Sequence, residues 1–518
     1  MSSTRPAVPT LTALDAVVGW LGDAGHRVDV SGAGGVSISG ISLSTERVQP
    51  GDLYAALPGA RAHGADFVVA AVAAGAVAVL SDAAGRARCR EAGVDVPVIV
   101  VEAPRDVLGL VSAGVYGEPA RAMTMIGVTG TQGKTTTTRL AESGLLAAGV
   151  PAAVIGTVGT RIAGVDVKTS LTTPEAPDLH GLFALMREQA VGACCMEVSS
   201  HALVLGRVDG VVFDVAVFLN LGRDHLDFHD DVEDYFQAKA SLFTPEHARL
   251  ALINVDDEHG RRLAAETALP VRTFSTAGAT ADWTATDIGI NADEDGLAFV
   301  VHGPDGLEVA TEIRLPGSFN VSNALAAVAA AAEAGHDPRA VADGLSKVVV
   351  PGRMERIAAG QRFLVVVDYA HKPDAVEAAV TSLRPVADEK GGRVLVVLGA
   401  GGDRDRGKRP VMGEIAARLA DVLIVTDDNP RTEDPATIRA EVLAGTSGSS
   451  AEVLELGDRR AAITAAIDRA GPDDVVLVAG KGHETGQEVH GVVHEFDDRT
   501  VALEALHARL AREGGDVR

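Results

Sequence analysis

The chain has 518 residues, 47% hydrophobic and 23% charged, with a formal net charge of −25. That length gives room for about three domains, and the apolar share excludes global disorder. The acidic balance lacks the basic footprint of a nucleic-acid binder but leaves anionic small molecules open, since these respond to local charge.

The N-terminus M-S-S-T-R-P-A-V-P-T has no apolar segment of signal type. The longest apolar run, Phe67–Leu80, is interrupted by Gly75; it is too short for a membrane span and reads as a helix passing into a strand. Cys89, Cys194 and Cys195 show no metal or disulfide spacing, which suits a reducing compartment. A cytoplasmic protein without nucleic-acid or membrane partners is expected. Apolar strands are predicted at Val36–Leu43, Val48–Leu57 (broken early by Pro50-Gly51-Asp52), Val77–Leu80 and Val96–Val101. Helical runs alternate with them, so residues 1–120 read as a small α/β domain ending near Gly117-Glu118-Pro119.

The second block spans 121–352. It opens on M-T-M-I-G-V-T-G-T-Q-G-K-T-T-T-T from Met123: an apolar strand, a glycine loop and a helix start. Backbone N–H groups and a helix dipole would aim there at one anion. Lys134 would reach the outer phosphates of a nucleoside triphosphate, and the Thr135 hydroxyl would hold Mg2+. The strict G-x-x-x-x-G-K-[ST] spacing fails by one residue, because its first glycine falls on Val128. A glycine turn before an ordinary helix is the competing reading. The helix is predicted over Thr135–Ala148, closed by Gly149 and Pro151.

Ala193–His201 reads as an apolar strand delivering a carboxylate, Glu197, and hydroxyls, Ser199 and Ser200, at its end. Val211–Leu219 reads as a parallel-sheet strand delivering Asn220–Asp227. In a helix predicted over Tyr235–Phe243, Tyr235, Lys239 and Leu242 share one face. Spacing alone leaves Lys239 open between a functional group and a snorkelling surface cation. Leu315–Asn323 opens an alanine-rich helix ending at Gly335, with Asn320 and Asn323 on one side. N-capping and a binding role are both open for that pair.

The third block, 353–518, repeats one grammar: an apolar strand, then a polar loop. Phe363–Val367 leads to Asp368–Pro373 and Val394–Leu398 to Gly399–Pro410. Val422–Val425 leads to Thr426–Glu433, and Val475–Ala479 to Gly480–Glu484. Helical segments between them predict a doubly wound sheet, in which ligands bind outside the carboxyl ends of the strands.

At this point the motifs resemble those of the Mur ligases, ATP-dependent amide-forming enzymes of peptidoglycan precursor synthesis. In the central block the resemblance rests on G-T-Q-G-K-T-T from Gly130, M-E-V-S-S-H from Met196 and N-L-G-R-D-H-L-D from Asn220. Y-F-Q-A-K from Tyr235 and G-S-F-N-V-S-N from Gly317 continue it. P-G-R-M-E-R ending at Arg356, D-Y-A-H from Asp368 and G-G-D-R-D from Gly401 extend it over nearly the whole chain. D-N-P-R-T-E from Asp428 and G-K-G-H-E from Gly480 are similar to the members that add diaminopimelate as the third residue.

The resemblance implies an α/β chain of three domains. These are a uridine nucleotide-binding N-terminal domain (1–120), a central P-loop ATPase with a mostly parallel sheet (121–352) and a Rossmann-like, amino-acid-binding C-terminal domain (353–518). It implies transfer of a diamino acid, meso-2,6-diaminopimelate, to the D-Glu γ-carboxylate of UDP-MurNAc-L-Ala-D-Glu through an acyl phosphate, forming ADP. L-Lysine or another diamino acid, or a different Mur-type reaction, is the alternative. Lys134, Glu197, His225 and Lys239 are the implied catalytic residues, Lys239 carbamylated by CO2 into an N6-carboxylysine. Two Mg2+ ions are implied, held by Thr135 and Glu197 and by His225 and modified Lys239. For ATP the matching positions are Gly130, Thr131, Gln132, Gly133, Lys134, Thr135, Thr136, Asn320, Asn323, Arg353 and Asp368. For the UDP-sugar they are Thr172, Thr173, Ser199 and Arg207. For the amino acid they are Arg404, Asp428, Asn429, Arg431, Gly480 and Glu484. A monomer is expected.

Two departures stand out. Gln132 replaces a frequent Asn, and Ser44-Thr45-Glu46 stands where D-S-R is usual, leaving Thr45 as the replacement hydroxyl on the uridine side. Folylpolyglutamate synthase shares the ATPase and C-terminal parts but starts near its phosphate loop, whereas about 120 residues precede it here. The ligase adding D-Ala-D-Ala is disfavoured by D-N-P-R. A non-catalytic P-loop switch is disfavoured by the metal-ligand chemistry of Glu197, His225 and Lys239.

Overall fold

The structure is a computed structural model and describes residues 4–32, 35–222, 224–225, 228–291 and 296–515. Arg223, Leu226 and Asp227 of N-L-G-R-D-H-L-D lie outside the described residues. The chain divides into two compact units, one of residues 1–284, 303–305 and 325–344, the other of 285–302, 306–324 and 345–518.

The first unit holds two main sheets and a two-stranded one, Thr12–Ala13 with Ser37–Ile38. The N-terminal main sheet runs in the order Asp29–Ser31, Val98–Val100, Ala78–Ser81, Asp52–Ala55, Gly40–Ser42. All its pairs are parallel except that of Asp29–Ser31 with Val98–Val100. Two predicted strands are shorter here than expected. Val36–Leu43 splits, because Ser37–Ile38 pairs with Thr12–Ala13 while Gly40–Ser42 joins the larger sheet. Val48–Leu57 keeps only Asp52–Ala55, since Gly51 at φ +93° turns the chain first. Phe67–Leu80 is a helix, Val68–Ala73, then the strand Ala78–Ser81, with Gly75 at φ +111° between them.

Within this unit the second main sheet runs Val165–Val167, Gly159–Ile162, Ala152–Gly156, Ala193–Glu197, Thr124–Thr129, Val215–Phe218, Ala251–Asn254, Val271–Ser275, and then the start of Trp283–Asn291. It is parallel from Ala152–Gly156 onward, with an antiparallel edge before that. Its five central strands, from Ala152–Gly156 to Ala251–Asn254, are buried on both faces almost throughout, as a sheet covered by helices requires. Thr124–Thr129 therefore delivers its glycine loop at the middle of a carboxyl edge, between the strands that deliver Glu197 and Asn220.

In the second unit the principal sheet has the order Glu355–Arg356, Leu364–Asp368, Val475–Ala479, Val394–Ala400, Val422–Asp427, Glu452–Glu455. Only the two-residue edge strand is antiparallel. Alternation along each strand feeds two cores. Val394, Val396 and Leu398 pack with Val376, Val380, Met412 and Val442 from helices on one face. Leu395 and Val397 pack with Ile463, Ile467, Val501 and Leu506 on the other. This is a doubly wound sheet, and its four predicted polar loops all leave the same edge.

Candidate active site

The glycine loop needs two of its glycines. Gly130 has φ +149° and Gly133 +88°; a Cβ on Gly130 would also stand 3.0 Å from the Leu219 Cβ. Gly133 immediately precedes the helix Lys134–Ala147, so that helix opens with first-turn N–H groups available to an anion. Asn220 braces the loop from the neighbouring strand end. Thr131 N–H donates to its carbonyl at 3.0 Å and Gln132 N–H to its Oδ1 at 2.9 Å. The Lys134 ammonium donates to the Gly130 and Thr131 carbonyls at 2.7 and 3.3 Å. Thr135 and Thr136 are buried.

Glu197 ends its strand 1% exposed. Its carboxylate accepts from the Thr135 hydroxyl at 2.8 Å, from Thr157 N–H at 2.8 Å and from the Thr157 hydroxyl at 3.0 Å. A Cβ on Gly156 would sit 2.2 Å from its Oε1, so that glycine keeps the space the carboxylate occupies. Thr157 went unnoticed in the sequence, although it follows a buried strand just as the other site residues do.

Lys239 is not a surface cation: it is 1% exposed. The helix runs Val232–Ala240, capped by the Asp231 side chain, and so begins before Tyr235 and ends short of Phe243. Its last turn buries the Lys239 ammonium 4.4 Å above the Tyr235 ring and 3.1 Å from the Gly130 carbonyl. Tyr235 touches three members of the site, since its hydroxyl lies 3.2 Å from the Thr131 hydroxyl and its ring 6.0 Å from the His225 ring. His225 sits in the left-handed region at φ +52° and pairs with Asp224 at 3.0 Å. Among the described residues no three His, Cys, Asp or Glu side chains are grouped to hold a metal. The Thr135–Glu197 contact is an oxygen pair of the kind Mg2+ takes, and an ammonium at Lys239 cannot be a ligand while a carbamate can.

The residues assigned to the UDP-sugar form a second chain of contacts. The Thr172 hydroxyl lies 3.1 Å from that of Thr157. Thr173 donates to the Glu197 carbonyl at 2.8 Å and contacts Ser199 Oγ at 3.4 Å. Ser199 caps the helix Ser200–Val204. Arg207 donates to the Thr173 carbonyl at 3.3 Å and pairs with Glu175 at 2.8 Å. Arg105 of the N-terminal sheet's domain also reaches Glu175, at 3.2 Å, and Arg47 reaches Asp178 at 2.8 Å. Thr45, half-buried, begins the short turn Thr45–Arg47.

In the other unit, Asn320 and Asn323 lie inside the helix Ser318–Glu333 rather than at its cap, and both are buried. Asn320 donates to the Pro316 carbonyl at 2.7 Å and Asn323 to Asn320 Oδ1 at 3.0 Å. Asp368 accepts from Met354 N–H at 2.7 Å, and burial pushes its carboxyl up against the lowering effect of Arg353. The Arg353 guanidinium lies 4.3 Å over the Tyr369 ring, whose phenol burial pushes up to about 12.

The D-N-P-R and G-K-G-H-E loops are one structure. Asn429 Nδ2 donates to Glu484 Oε2 at 2.8 Å, and the Tyr369 hydroxyl contacts Glu484 at 3.4 Å. Gly480, at φ +122°, leaves room for Asp428, whose Oδ2 would lie 2.6 Å from a Cβ there. Gly352 at φ +63° and Gly482 at +53° pass so closely that a Cβ on Gly352 would lie 2.0 Å from His483 N. Arg431, at φ +54°, donates to the Gly402 carbonyl at 2.6 Å. Arg404 is exposed, with a 3.4 Å contact to the Asp403 carbonyl, so these contacts do not bring it to the other assigned residues. Three participants were missed. Lys481 is fully buried among Asp428, Asn429 and Glu484. Gln487 and Glu488 come from a hairpin, Gly486–Val489 with Val492–Glu495. Gln487 donates to the Asp428 carbonyl at 2.7 Å, and Glu488 N–H to Asn429 Oδ1 at 3.0 Å.

Comparison with known proteins identifies the family. Family descriptions match in three places: the Mur ligase middle domain over residues 128–331, the Mur ligase glutamate ligase domain over 352–482, and the Mur ligase catalytic domain over 37–116. A UDP-N-acetylmuramoyl-L-alanyl-D-glutamate–2,6-diaminopimelate ligase of Streptomyces avermitilis is 51% identical over 97% of this chain and 98% of its own. The enzyme of that name from Corynebacterium glutamicum is 51% identical over 95% of this chain and 96% of its own. A solved structure carrying that name aligns with a TM-score of 0.64 at 36% identity, covering 91% of this chain and 95% of that one. A glycine loop braced by Asn220, a buried lysine beside it and the interlocked D-N-P-R and G-K-G-H-E loops thus accompany half-identity over nearly the full length, and the chain belongs to the Mur ligase family.

Proposed function

We propose that the protein joins meso-2,6-diaminopimelate to the D-Glu γ-carboxylate of UDP-MurNAc-L-Ala-D-Glu at the expense of ATP, releasing ADP and phosphate. One observation carries this reading: the interlocked loops 428–431 and 480–488 present an arginine and two acids at one sheet edge. A ligand end bearing an ammonium and a carboxylate needs both signs, with the planar guanidinium gripping the carboxylate and Asp428 and Glu484 receiving the ammonium. Asn429 and Gly480 line the same pocket, and Arg404 is assigned to it from the loop after Ala400. The relatives reported above carry the name of this reaction.

In this reading the glycine loop 130–133 with Lys134, Thr135 and Thr136 holds the triphosphate, and Asn320, Asn323, Arg353 and Asp368 hold the rest of ATP. Thr45, Thr172, Thr173, Ser199 and Arg207 hold the UDP-sugar dipeptide. The γ-carboxylate of D-Glu attacks the γ-phosphorus, giving an acyl phosphate and ADP; the amine then displaces phosphate and loses its proton. Two anions meet in the first step, so Lys134 screens the charge between them. Lys239, once its ammonium gives up a proton, adds CO2 at the free amine and loses a second proton to become a carbamate. Thr135, Glu197, His225 and that carbamate would hold two Mg2+ ions, which supply further charge neutralisation. The protein works as a cytoplasmic monomer with domain limits 1–120, 121–352 and 353–518. No helix among the described residues is long and apolar enough to cross a membrane.

The test is a panel in which purified protein meets ATP, the sugar nucleotide and a diamino acid, singly and together. ADP release and amide formation are expected only with all three, and with meso-diaminopimelate ahead of L-lysine. Strong turnover without the sugar nucleotide overturns the proposal.

A further inference from the structure

The two carboxylates assigned to an incoming ammonium already face a resident one. Lys481 Nζ is 2.9 Å from Asn429 Oδ1, 3.4 Å from Glu484 Oε2 and 3.7 Å from Asp428 Oδ1. Its side chain is 0% exposed, against 8% for Asp428 and 33% for Glu484, so the cation lies deeper than the two acids it faces. Two other buried cations of this unit have their own acids: Arg459 grips Asp498 at 2.8 and 2.6 Å, and Arg409 pairs with Glu433 at 2.8 Å and Glu441 at 2.6 Å. Arg431 has a partly exposed neighbour, Glu488, at 3.5 Å. Lys481 is thus a buried lysine held between the two acids and Asn429.

We propose that Lys481 determines specificity, setting the pocket against diamino acids whose far end is a bare cation and in favour of those whose far end is zwitterionic. This rests on the function proposed above and deepens it. The far end of diaminopimelate carries an ammonium and a carboxylate and is neutral as a whole; that of L-lysine carries the ammonium alone. A fixed cation repels both ammonium groups alike but attracts a carboxylate that only the first ligand has. Arg431 grips that carboxylate directly, whereas Lys481 acts through the net charge of the site and through the orientation it gives Glu484 and Asn429. Removing the cation leaves the pocket one unit more negative, which favours lysine whatever the other charges contribute.

The experiment measures kcat/KM for meso-diaminopimelate and for L-lysine in wild type, K481Q, K481R and E484Q. K481Q should lower the diaminopimelate-to-lysine ratio by at least about tenfold, the worth of a unit charge at close range in a partly screened site. K481R, which keeps the charge, should keep the wild-type preference. E484Q makes the pocket one unit more positive and should raise the ratio, a readout that survives if K481Q does not fold. Equal losses for both substrates in K481Q, or a ratio in E484Q that stays or falls, overturn the inference. A wild-type enzyme that uses neither diamino acid instead overturns the function beneath it.

Discussion

The Lys239 ammonium and the Gly130 carbonyl oxygen stand 3.1 Å apart, and the same oxygen accepts from Lys134 at 2.7 Å. Two cations thus converge on one neutral dipole, one of them buried beneath the loop. Like charges so placed repel each other. A carbamate on Lys239 would reverse the sign of that relationship and offer oxygen to a metal.

Lys239→Ala should therefore lose at least about 100-fold in turnover, as losing a metal-holding group does. Short carboxylic acids such as acetate should restore part of the rate by standing in for the carbamate oxygens. Steady-state ADP release with and without acetate measures both. Full activity in the variant would remove the carbamate from the reaction.

Glu197 accepts three hydrogen bonds, two of them from Thr157. Glu197→Gln keeps the shape but loses the anion. The Mg2+ concentration giving half-maximal rate should rise by about tenfold or more, with chelation by EDTA abolishing the residual rate. An unchanged Mg2+ titration would take Glu197 out of the metal site.

Arg431 occupies a backbone region that costs a non-glycine residue energy, and hydrogen bonds hold it there: Arg431 N–H to the Glu488 carbonyl at 3.0 Å and His490 N–H to the Arg431 carbonyl at 2.6 Å. Arg431→Ala should cost about 2–5 kcal/mol in transition-state binding of diaminopimelate, with KM for ATP unchanged. Arg431→Lys should recover little, because an ammonium lacks the planar fork. Parallel losses for ATP and amino acid would void the assigned pocket.

Burial pushes the His180 imidazole down to about 4, with the ring 3.1 Å from the Asp209 carbonyl. The folded state then binds fewer protons than the unfolded one, whose histidine titrates near 6.5. The stabilisation is complete above pH 6.5 and is lost as pH falls towards 4. At pH 5 the loss is about 2 kcal/mol. Urea unfolding at pH 7 and pH 5 should show a smaller decline for His180→Phe than for wild type; equal declines would remove His180 as a source of acid sensitivity.

What the sequence disclosed follows from how local each signal is. Strand, glycine loop and helix start are contiguous, so the Lys134 cradle was legible, as were the loops at the carboxyl edge of the second unit's sheet. The depth of Lys239 was not, because helical spacing names a face and not what covers it. The hairpin Gly486–Glu495 gave no signal: Val492 and Val493 are exposed, so no apolar alternation marks it. Thr157 and Lys481 acquire their roles from partners 40 and 52 positions away, distances at which pattern reading has nothing to count. The twin asparagines left capping and binding both open; they sit inside the first turns, bonded to Pro316 and to each other.

The strand order of the second unit's sheet bears on how the protein is made. Val475–Ala479 lies between Leu364–Asp368 and Val394–Ala400, although it is the last of the parallel strands to leave the ribosome. Until it emerges, two apolar strands wait with unpaired edges, the template on which chains mispair. A transcript broken off just before residue 475 would thus yield not a protein lacking one loop but a sheet with its middle missing, prone to aggregate.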